Sequence, residues 1–348
     1  MNSTLSDSMF KFVPLTYGYV NAKVSALKSY LIHERLYDQI IAARDVGEIV
    51  AMLKTTKYAE YIDECSKKYS GIELIEISTM RRLGYITRRI TSVLPKSDHT
   101  FFSIIVAKWE IFNLKSLISA KIASKSWDDV EPRLIPIHGD MFDDYKEIFN
   151  SNDIVSAIRY TEIGEKAFKV AKSTFNISRF GLNIEDPFLK TYVILDNYYQ
   201  YLLYNVSKTR TNRICYFVDL VKLQLDIKNI SISMRAKELG FSWQKTMSQL
   251  YPSGNISYAM LERAFNSSFS NILSKFGASS NDAYKAEVEM ELFLAKKKKA
   301  LFRKSVLSLS RVLIFLLMLE EEINNLRKIA IAKDMGLSEN EIRKVIII

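Results

Sequence analysis

Three stretches of the chain carry a carboxylate, an amide and an ammonium group at one repeated spacing. An acid is followed by Asn three positions later, by Leu or Ile at the fourth, and by Ala-Lys at the tenth and eleventh. The residues of this polar motif are Glu110, Asn113 and Lys121; Asp226, Asn229 and Lys237; and Glu322, Asn325 and Lys333. Such side chains can transfer protons in an active site, or they can satisfy backbone groups inside a fold.

On an α-helix the acid, the Asn and the Lys of each copy lie in one stripe about three turns long. We therefore expect all three side chains to face the same neighbour. The interpretation we favour is structural: the acid and the Asn satisfy backbone groups of a helix end or loop, and the Lys forms a surface ion pair. The alternative is that each stripe lines one third of a central cavity, as three related units arranged in a circle would produce.

The similarity extends beyond the polar motif, which indicates an internal repeat. At an offset of 116 positions, residues 110–151 share eleven identities with residues 226–267, where average residue frequencies give roughly two or three. The third copy of the motif follows 96 positions after the second. Upstream, Tyr37 and Asp45 have the same spacing as Tyr145 and Asp153. We predict an N-terminal helix over 1–29 and three helical units over 30–139, 140–254 and 255–348.

The composition favours an all-α fold. Only 11 Gly and 6 Pro interrupt 348 residues, of which 48% are hydrophobic, and long windows are rich in good helix formers. The most apolar run, 312–319, is too short to span a membrane. No secretory signal is recognisable, and Cys65 and Cys215 suggest no disulfide framework, so we expect a cytoplasmic setting.

The sequence contains no recognisable catalytic or binding motif, so we predict no catalytic residue, metal site or cofactor. His33, His99 and His138 are scattered singly, without a partner at metal-ligand spacing. No phosphate-binding loop or nucleophile elbow is present in the sequence. We therefore expect a protein that is not an enzyme and has no small-molecule substrate.

Two basic clusters are candidate partner-binding surfaces. Arg81 and Arg82 recur as Arg88 and Arg89 on one predicted helical face, and Lys296, Lys297, Lys298 and Lys299 follow one another in a second helix. A net charge of +10 suits an acidic partner or an anionic membrane surface. Ordinary solvated charge is the competing interpretation of both clusters.

The N-terminal helix has a narrow apolar seam, which predicts packing against another helix, most simply one of the same chain. Tyr17, Val20, Val24, Leu27 and Leu31 follow alternating spacings of three and four. The aromatic-rich stretch 192–204 is more typical of a core than of a base-stacking surface. We therefore expect no nucleic-acid partner.

At these residues the chain resembles the C subunit of the A/V-type rotary ATPases, the counterpart of the d subunit of eukaryotic V-ATPases. Residues 17–24, YGYVNAKV, are similar to the opening of that family, and the closing segment from Glu322 through Lys333, Gly336 and Arg343 is the most specific match. The resemblance implies a funnel of three units with approximate threefold symmetry. It also implies a non-catalytic socket between the central stalk and the membrane rotor ring, held peripherally at the cytoplasmic face of the membrane.

A second hypothesis remains open from the residues alone. A helical-repeat adaptor could bind RNA or an acidic protein through its basic faces. Salt-dependent RNA binding without affinity for a rotor stalk would favour this alternative.

Overall fold

The computed structural model describes residues 13–137, 141–173, 184–251 and 254–348, and regular structure within these ranges is helical throughout. The predicted all-α class is confirmed. Short 3-10 turns join α-helices with the following bounds: α1 Val13–Ser29, α2 Glu34–Ala42, α3 Val46–Leu53, α4 Ala59–Cys65, α5 Gly71–Thr91, α6 His99–Ile122, α7 Trp127–Val130, α8 Met141–Asn150, α9 Ile154–Arg159, α10 Glu162–Ser173, α11 Pro187–Lys208, α12 Cys215–Glu238, α13 Trp243–Met247, α14 Tyr258–Asn266, α15 Ser270–Leu273, α16 Ala283–Lys304, α17 Leu309–Asp334 and α18 Glu339–Val345.

The polar motif lies on three long helices, α6, α12 and α17, which we call the motif helices. The first two pack against the next long helix along the chain: α6 packs against α11, and α12 packs against α16. The last motif helix, α17, packs against α5, the first long helix of the molecule. The helix contacts therefore connect the last motif helix to a helix that precedes the first one in the sequence.

The hydrophobic core is divided into clusters that combine residues from different predicted units. One cluster joins residues between 37 and 77 to residues between 326 and 346, and another joins 111–134 to 145–198. The largest cluster contains the inner faces of α1, α12, α16 and α17. Nearly every side chain from Leu309 to Leu319 is buried, so this part of α17 is a central core helix that is apolar on all sides. The unit boundaries remain predictions from the sequence.

The motif helices end in the same way, just after the Ala-Lys pair of the motif. The N–H groups of Lys125, Phe241 and Leu337 each donate to the carbonyl of the motif alanine, at 2.9 Å. The N–H of the residue before each of them donates to the carbonyl of the motif lysine. This is the Schellman arrangement, which needs a left-handed residue after the helix. The three left-handed residues are Ser124, Gly240 and Gly336.

The N-terminal helix α1 packs on α17 through its apolar seam. Tyr17 donates from its hydroxyl to Asp98 Oδ2 at 2.7 Å, just before α6 begins. The Asn21 amide exchanges hydrogen bonds with the backbone of Ser308, just before α17 begins. Arg213 contacts Asp98 Oδ1 at 3.3 Å from the turn that precedes α12. The starts of all three motif helices therefore meet near α1. No helix of the described ranges combines the length and apolar character needed to cross a bilayer.

Candidate functional site

The motif asparagines make the same pair of hydrogen bonds in all three copies. Each side-chain amide donates to the carbonyl of the residue 22 positions later and accepts from the N–H of that residue. The distances are 2.9 and 2.8 Å for Asn113 with Ile135, 2.9 and 2.8 Å for Asn229 with Tyr251, and 2.5 and 3.0 Å for Asn325 with Ile347. All three asparagines are buried. We call each arrangement an asparagine clamp, because one side chain fixes both polar groups of a non-helical backbone.

Two of the motif acids accept hydrogen bonds at the start of a neighbouring helix. Asp226 accepts from the N–H groups of Asn255 and Ile256 at 2.9 and 3.0 Å, directly before the Ser257 cap of α14. Glu322 accepts from the N–H of Ile32, directly before the His33 cap of α2. Burial raises the pKa of both carboxyl groups against the opposing effect of these hydrogen bonds.

Glu322 also contacts the segment from Tyr58 to Arg82 through side chains. Its Oε1 accepts from the Tyr58 hydroxyl at 2.7 Å and from Arg82 at 3.2 Å. The Arg82 guanidinium lies 4.3 Å from the centre of the Tyr58 ring. A fully buried ion pair therefore joins α17, near the end of the chain, to α5 near its beginning.

Two of the motif lysines lie at the other end of a neighbouring helix. Lys121 donates to the Phe149 carbonyl in the last turn of α8, and Lys237 donates to the Ser267 carbonyl that caps α14, both at 2.8 Å. The expected surface ion pair was wrong for these two residues, because their hydrogen-bond partners are carbonyls at a helix C-terminus. Glu110 and Lys333 are partly buried.

In the second copy, the charges of the motif match the dipole of the helix that it holds. Along α12, Asp226 and Lys237 are about 16 Å apart, and α14 between their contacts has nine residues. The carboxylate lies at the positive N-terminus of α14 and the ammonium at its negative C-terminus, which is the favourable arrangement. These side chains are thus occupied in holding one helix against the next.

The structure corrects the candidate partner-binding residues at two positions. Arg82 and Lys298 are buried, because Arg82 pairs with Glu322 and Lys298 pairs with Glu321. The other members lie at or near the surface, and several have local contacts: Arg81 with Glu64, Arg88 with the Pro136 carbonyl, Arg89 with the Tyr85 hydroxyl and Lys299 with Glu34. Lys296 and Lys297 are exposed.

A cavity of about 830 Å³ lies between the long helices α5, α6, α11, α12, α16 and α17. Ile135, Tyr251 and Ile347, the three residues held by the asparagine clamps, line it together. Asn325 is the one motif residue of the described ranges that reaches its lining, so the stripes support the cavity wall more than they form it.

The cavity wall is rich in charge of both signs. Its charged residues are Glu76, Lys108, Lys115, Asp196, Lys228, Glu287, Glu291, Lys298, Glu320, Glu321, Arg327 and Lys328. Lys108 Nζ lies 2.7 Å from Glu320 Oε2. Burial lowers the pKa of the lysine, but Glu320, Tyr199 and Glu291 together raise it above its usual value. Burial raises the pKa of Glu291, although Lys298 opposes the change. The pairing of Lys108 with Glu320 spans 212 positions, so no local pattern could have indicated it.

Side chains suited to metal binding form no cluster within the described ranges. His33 caps α2 by accepting from the Leu36 N–H, and the His99 ring contacts the Leu94 carbonyl at 3.2 Å. His138 lies outside the described residues.

The fold and these contacts define a helical scaffold with a charged central cavity. The sequence model of the ATP synthase (C/AC39) subunit family matches residues 20–345. Because this match covers nearly the whole chain, the protein belongs to the ATP synthase (C/AC39) subunit family.

Curated relatives agree with this assignment over almost their full length. The chain is 25% identical to the C subunit of the A-type ATP synthase of Desulfurococcus sp. (strain SY), covering 97% of this chain and 92% of that protein. It is 24% identical to the protein of the same description from Thermococcus onnurineus, over 97% and 91%. For Methanocaldococcus jannaschii the identity is 22%, over 95% and 86%.

Proposed function

We propose that this chain is a non-catalytic rotor component of an A/V-type rotary ATPase, in which it connects the central stalk to the membrane rotor ring. Membership of the ATP synthase (C/AC39) family supports the assignment to this class of complex. The full-length relatives, described as C subunits of A-type ATP synthases, support it further. In this role the chain lies peripherally at the cytoplasmic face of the membrane and carries torque linked to ion transport.

The proposed architecture is a funnel of three units with approximate threefold symmetry. Support comes from the asparagine clamps, which have the same 22-residue separation in each unit. The contacts of α17 with α5 and of Glu322 with Ile32 provide the closure that such a ring needs. A closed ring resists twisting better than an open row of helices, because both of its ends are held.

The observation that carries the proposal is the central cavity, whose wall is built by the long helices α5, α6, α11, α12, α16 and α17. It is wide and charged, and its lining mixes basic residues such as Lys115 and Lys228 with acidic residues such as Glu287. Such a surface suits the charged end of a protein partner more than an apolar ligand. We assign it to the lower end of the central stalk, and we assign the rotor ring to another face of the molecule. Lys296 and Lys297 then assist docking electrostatically.

Affinity purification from native membranes tests this proposal. A tagged chain should bring with it the central-stalk proteins and the rotor ring. The Lys228→Glu variant, altered in the cavity wall, should lose central stalk while keeping the ring. The matched Lys275→Glu variant changes an exposed lysine that does not line the cavity, and it should keep both.

Recovery of RNA or an unrelated acidic protein in place of ATPase components would contradict the proposal. The isolated chain should also neither bind nor hydrolyse ATP, since its sequence has no phosphate-binding loop. Specific micromolar nucleotide binding in calorimetry would overturn this part of the account.

A further inference from the structure

One flank of α1 carries an exposed stripe beside its packed seam. Tyr19, Lys23 and Ala26 project within about 60° of one another around the axis of α1, and Tyr30 directly follows the last residue of this helix. Tyr19 is 67% exposed and Tyr30 is 46% exposed, so both side chains are accessible from solvent. The stripe is therefore available to a partner.

Each tyrosine of this region lies beside a cation. Lys23 Nζ is 5.9 Å from the centre of the Tyr19 ring, and Lys57 Nζ is 4.8 Å from that of Tyr30. On α5, the Arg89 guanidinium is 5.6 Å from the centre of the Tyr85 ring. Lys23 also donates to the Arg89 carbonyl at 3.1 Å, which joins the two helices. We call these six residues, Tyr19, Lys23, Tyr30, Lys57, Tyr85 and Arg89, the tyrosine–cation patch.

Acids of the described residues form no ion pair with the cations of the patch. Within the described residues, no carboxylate oxygen lies within 4.0 Å of the charged groups of Lys23, Lys57 or Arg89. Nearby cations differ in this respect, since Arg81 pairs with Glu64 and Lys54 pairs with Asp63. Within the described residues these three positive charges therefore have no acidic partner, and those of Lys57 and Arg89 are exposed, which favours an anionic partner.

The shape and composition of the patch favour a broad partner. Of its six residues, Tyr85 alone lines a described groove, and none lines the central cavity. Tyrosine has an apolar ring and a polar tip, and with Lys and Arg it suits the boundary between water and a bilayer.

We propose that the tyrosine–cation patch contacts anionic phospholipid headgroups at the membrane surface. This inference goes beyond the proposed function, because it adds a direct lipid contact to the contacts with other proteins of the complex. Vesicles that carry no other protein test it separately, so its failure would leave the rotor assignment untouched.

The test is flotation of the purified full chain with phosphatidylcholine vesicles, with and without phosphatidylglycerol. Wild type should bind the anionic vesicles and lose binding as salt rises. The variant with Lys23→Gln, Lys57→Gln and Arg89→Gln should bind more weakly, by roughly fivefold for each charge removed. A charge-preserving variant with Lys23→Arg, Lys57→Arg and Arg89→Lys should bind like wild type, which separates lost charge from a folding defect.

The matched control is Lys296→Gln with Lys297→Gln, which removes two exposed charges from α16. It should retain most of the binding. Equal loss per charge in the control and in the patch variant would overturn the proposal, because net charge would then explain the effect. Binding to polyuridine that depends on the patch, with no preference for anionic vesicles, would overturn it in favour of RNA.

Discussion

Asn325 and Ile347 are joined by two hydrogen bonds, one to each polar group of the isoleucine backbone. Asn113 and Ile135 are joined in the same way, again 22 positions apart. Ile347 is the second-last residue of the chain, so its clamp attaches the C-terminal segment to the wall of the central cavity.

Loss of one asparagine clamp should destabilise the fold measurably. Asn113→Ala leaves the buried N–H of Ile135 without its partner, whereas the Ile135 carbonyl still accepts from the Ile137 N–H, and we expect a loss of about 1–3 kcal/mol in the free energy of unfolding. Urea denaturation measures this loss. Hydrogen exchange should show a faster rate at the Ile135 amide.

The control is Asn152→Ala, since Asn152 is exposed in a bend. It should change stability by less than about 0.5 kcal/mol. If Asn113→Ala were equally mild and Ile135 stayed protected, the clamp would carry little of the stability assigned to it.

Substitution of two neighbouring arginines on α5 should change the free energy of unfolding by very different amounts. Arg82→Ala leaves the Glu322 carboxylate buried without its cation, so we expect a loss of about 3–5 kcal/mol. Arg81→Ala removes an exposed pair with Glu64, and its cost should stay below about 1 kcal/mol. Denaturant midpoints of the two variants provide the comparison. Similar values would mean that the buried ion pair between α5 and α17 contributes little to the stability of the fold.

The end of the first motif helix offers a stabilising change. Ser124 has a φ of 52°, whereas the equivalent positions Gly240 and Gly336 carry no side chain. Ser124→Gly relieves the left-handed strain and should raise stability by about 0.5–1 kcal/mol. Gly240→Ala should lower it by about 1 kcal/mol. Thermal unfolding measures both, and a destabilised Ser124→Gly variant would show that the serine side chain matters more than its backbone conformation.

The buried Glu291 predicts a pH dependence of stability. Burial raises the pKa of this carboxyl, while Lys298 and Lys328 oppose the change and Glu321 and Glu287 add to it. The folded state therefore binds the proton more tightly than the unfolded state. The resulting contribution to stability is complete below the unfolded pKa of about 4.3 and is lost as pH rises through the folded pKa.

Glu291→Gln removes this loss, so the variant should be more stable than wild type at neutral pH. The difference should shrink toward about pH 4, where both side chains are neutral. Denaturation across this range measures it, with the exposed Glu262→Gln as the control. A difference that is constant with pH would show that Glu291 does not titrate differently in the two states.

Sequence reasoning located the polar motif but not all of its contacts. The spacing of Asn113, Asn229 and Asn325 places them on one face of three helices, and helical periodicity accounts for that. Their partners, 22 positions later, lie in irregular backbone whose path depends on tertiary packing. The lysine partners were missed because carbonyls at a helix end leave no mark in the sequence.

The basic clusters show a second limit. Arg82 and Lys298 are chemically identical to their exposed neighbours, and consecutive positions on a helix differ by about 100° in direction. Which of them turns inward depends on Glu322 and Glu321, more than 20 positions away in each case. The basic clusters in the sequence therefore predicted a charged surface, but they did not show which of their residues are exposed on it.

The most direct test of the rotor assignment is a cross-link inside the assembled ATPase. Tyr284→Cys places a thiol at an exposed position that lines the central cavity, whereas Tyr160→Cys places one at an exposed position that does not line it. We predict that the Tyr284→Cys thiol cross-links to a central-stalk protein and that ATP-driven ion transport continues, because both partners turn together. The Tyr160→Cys thiol should give no such product. A Tyr284→Cys cross-link to a stationary component, or one to the stalk that stops transport, would contradict the account.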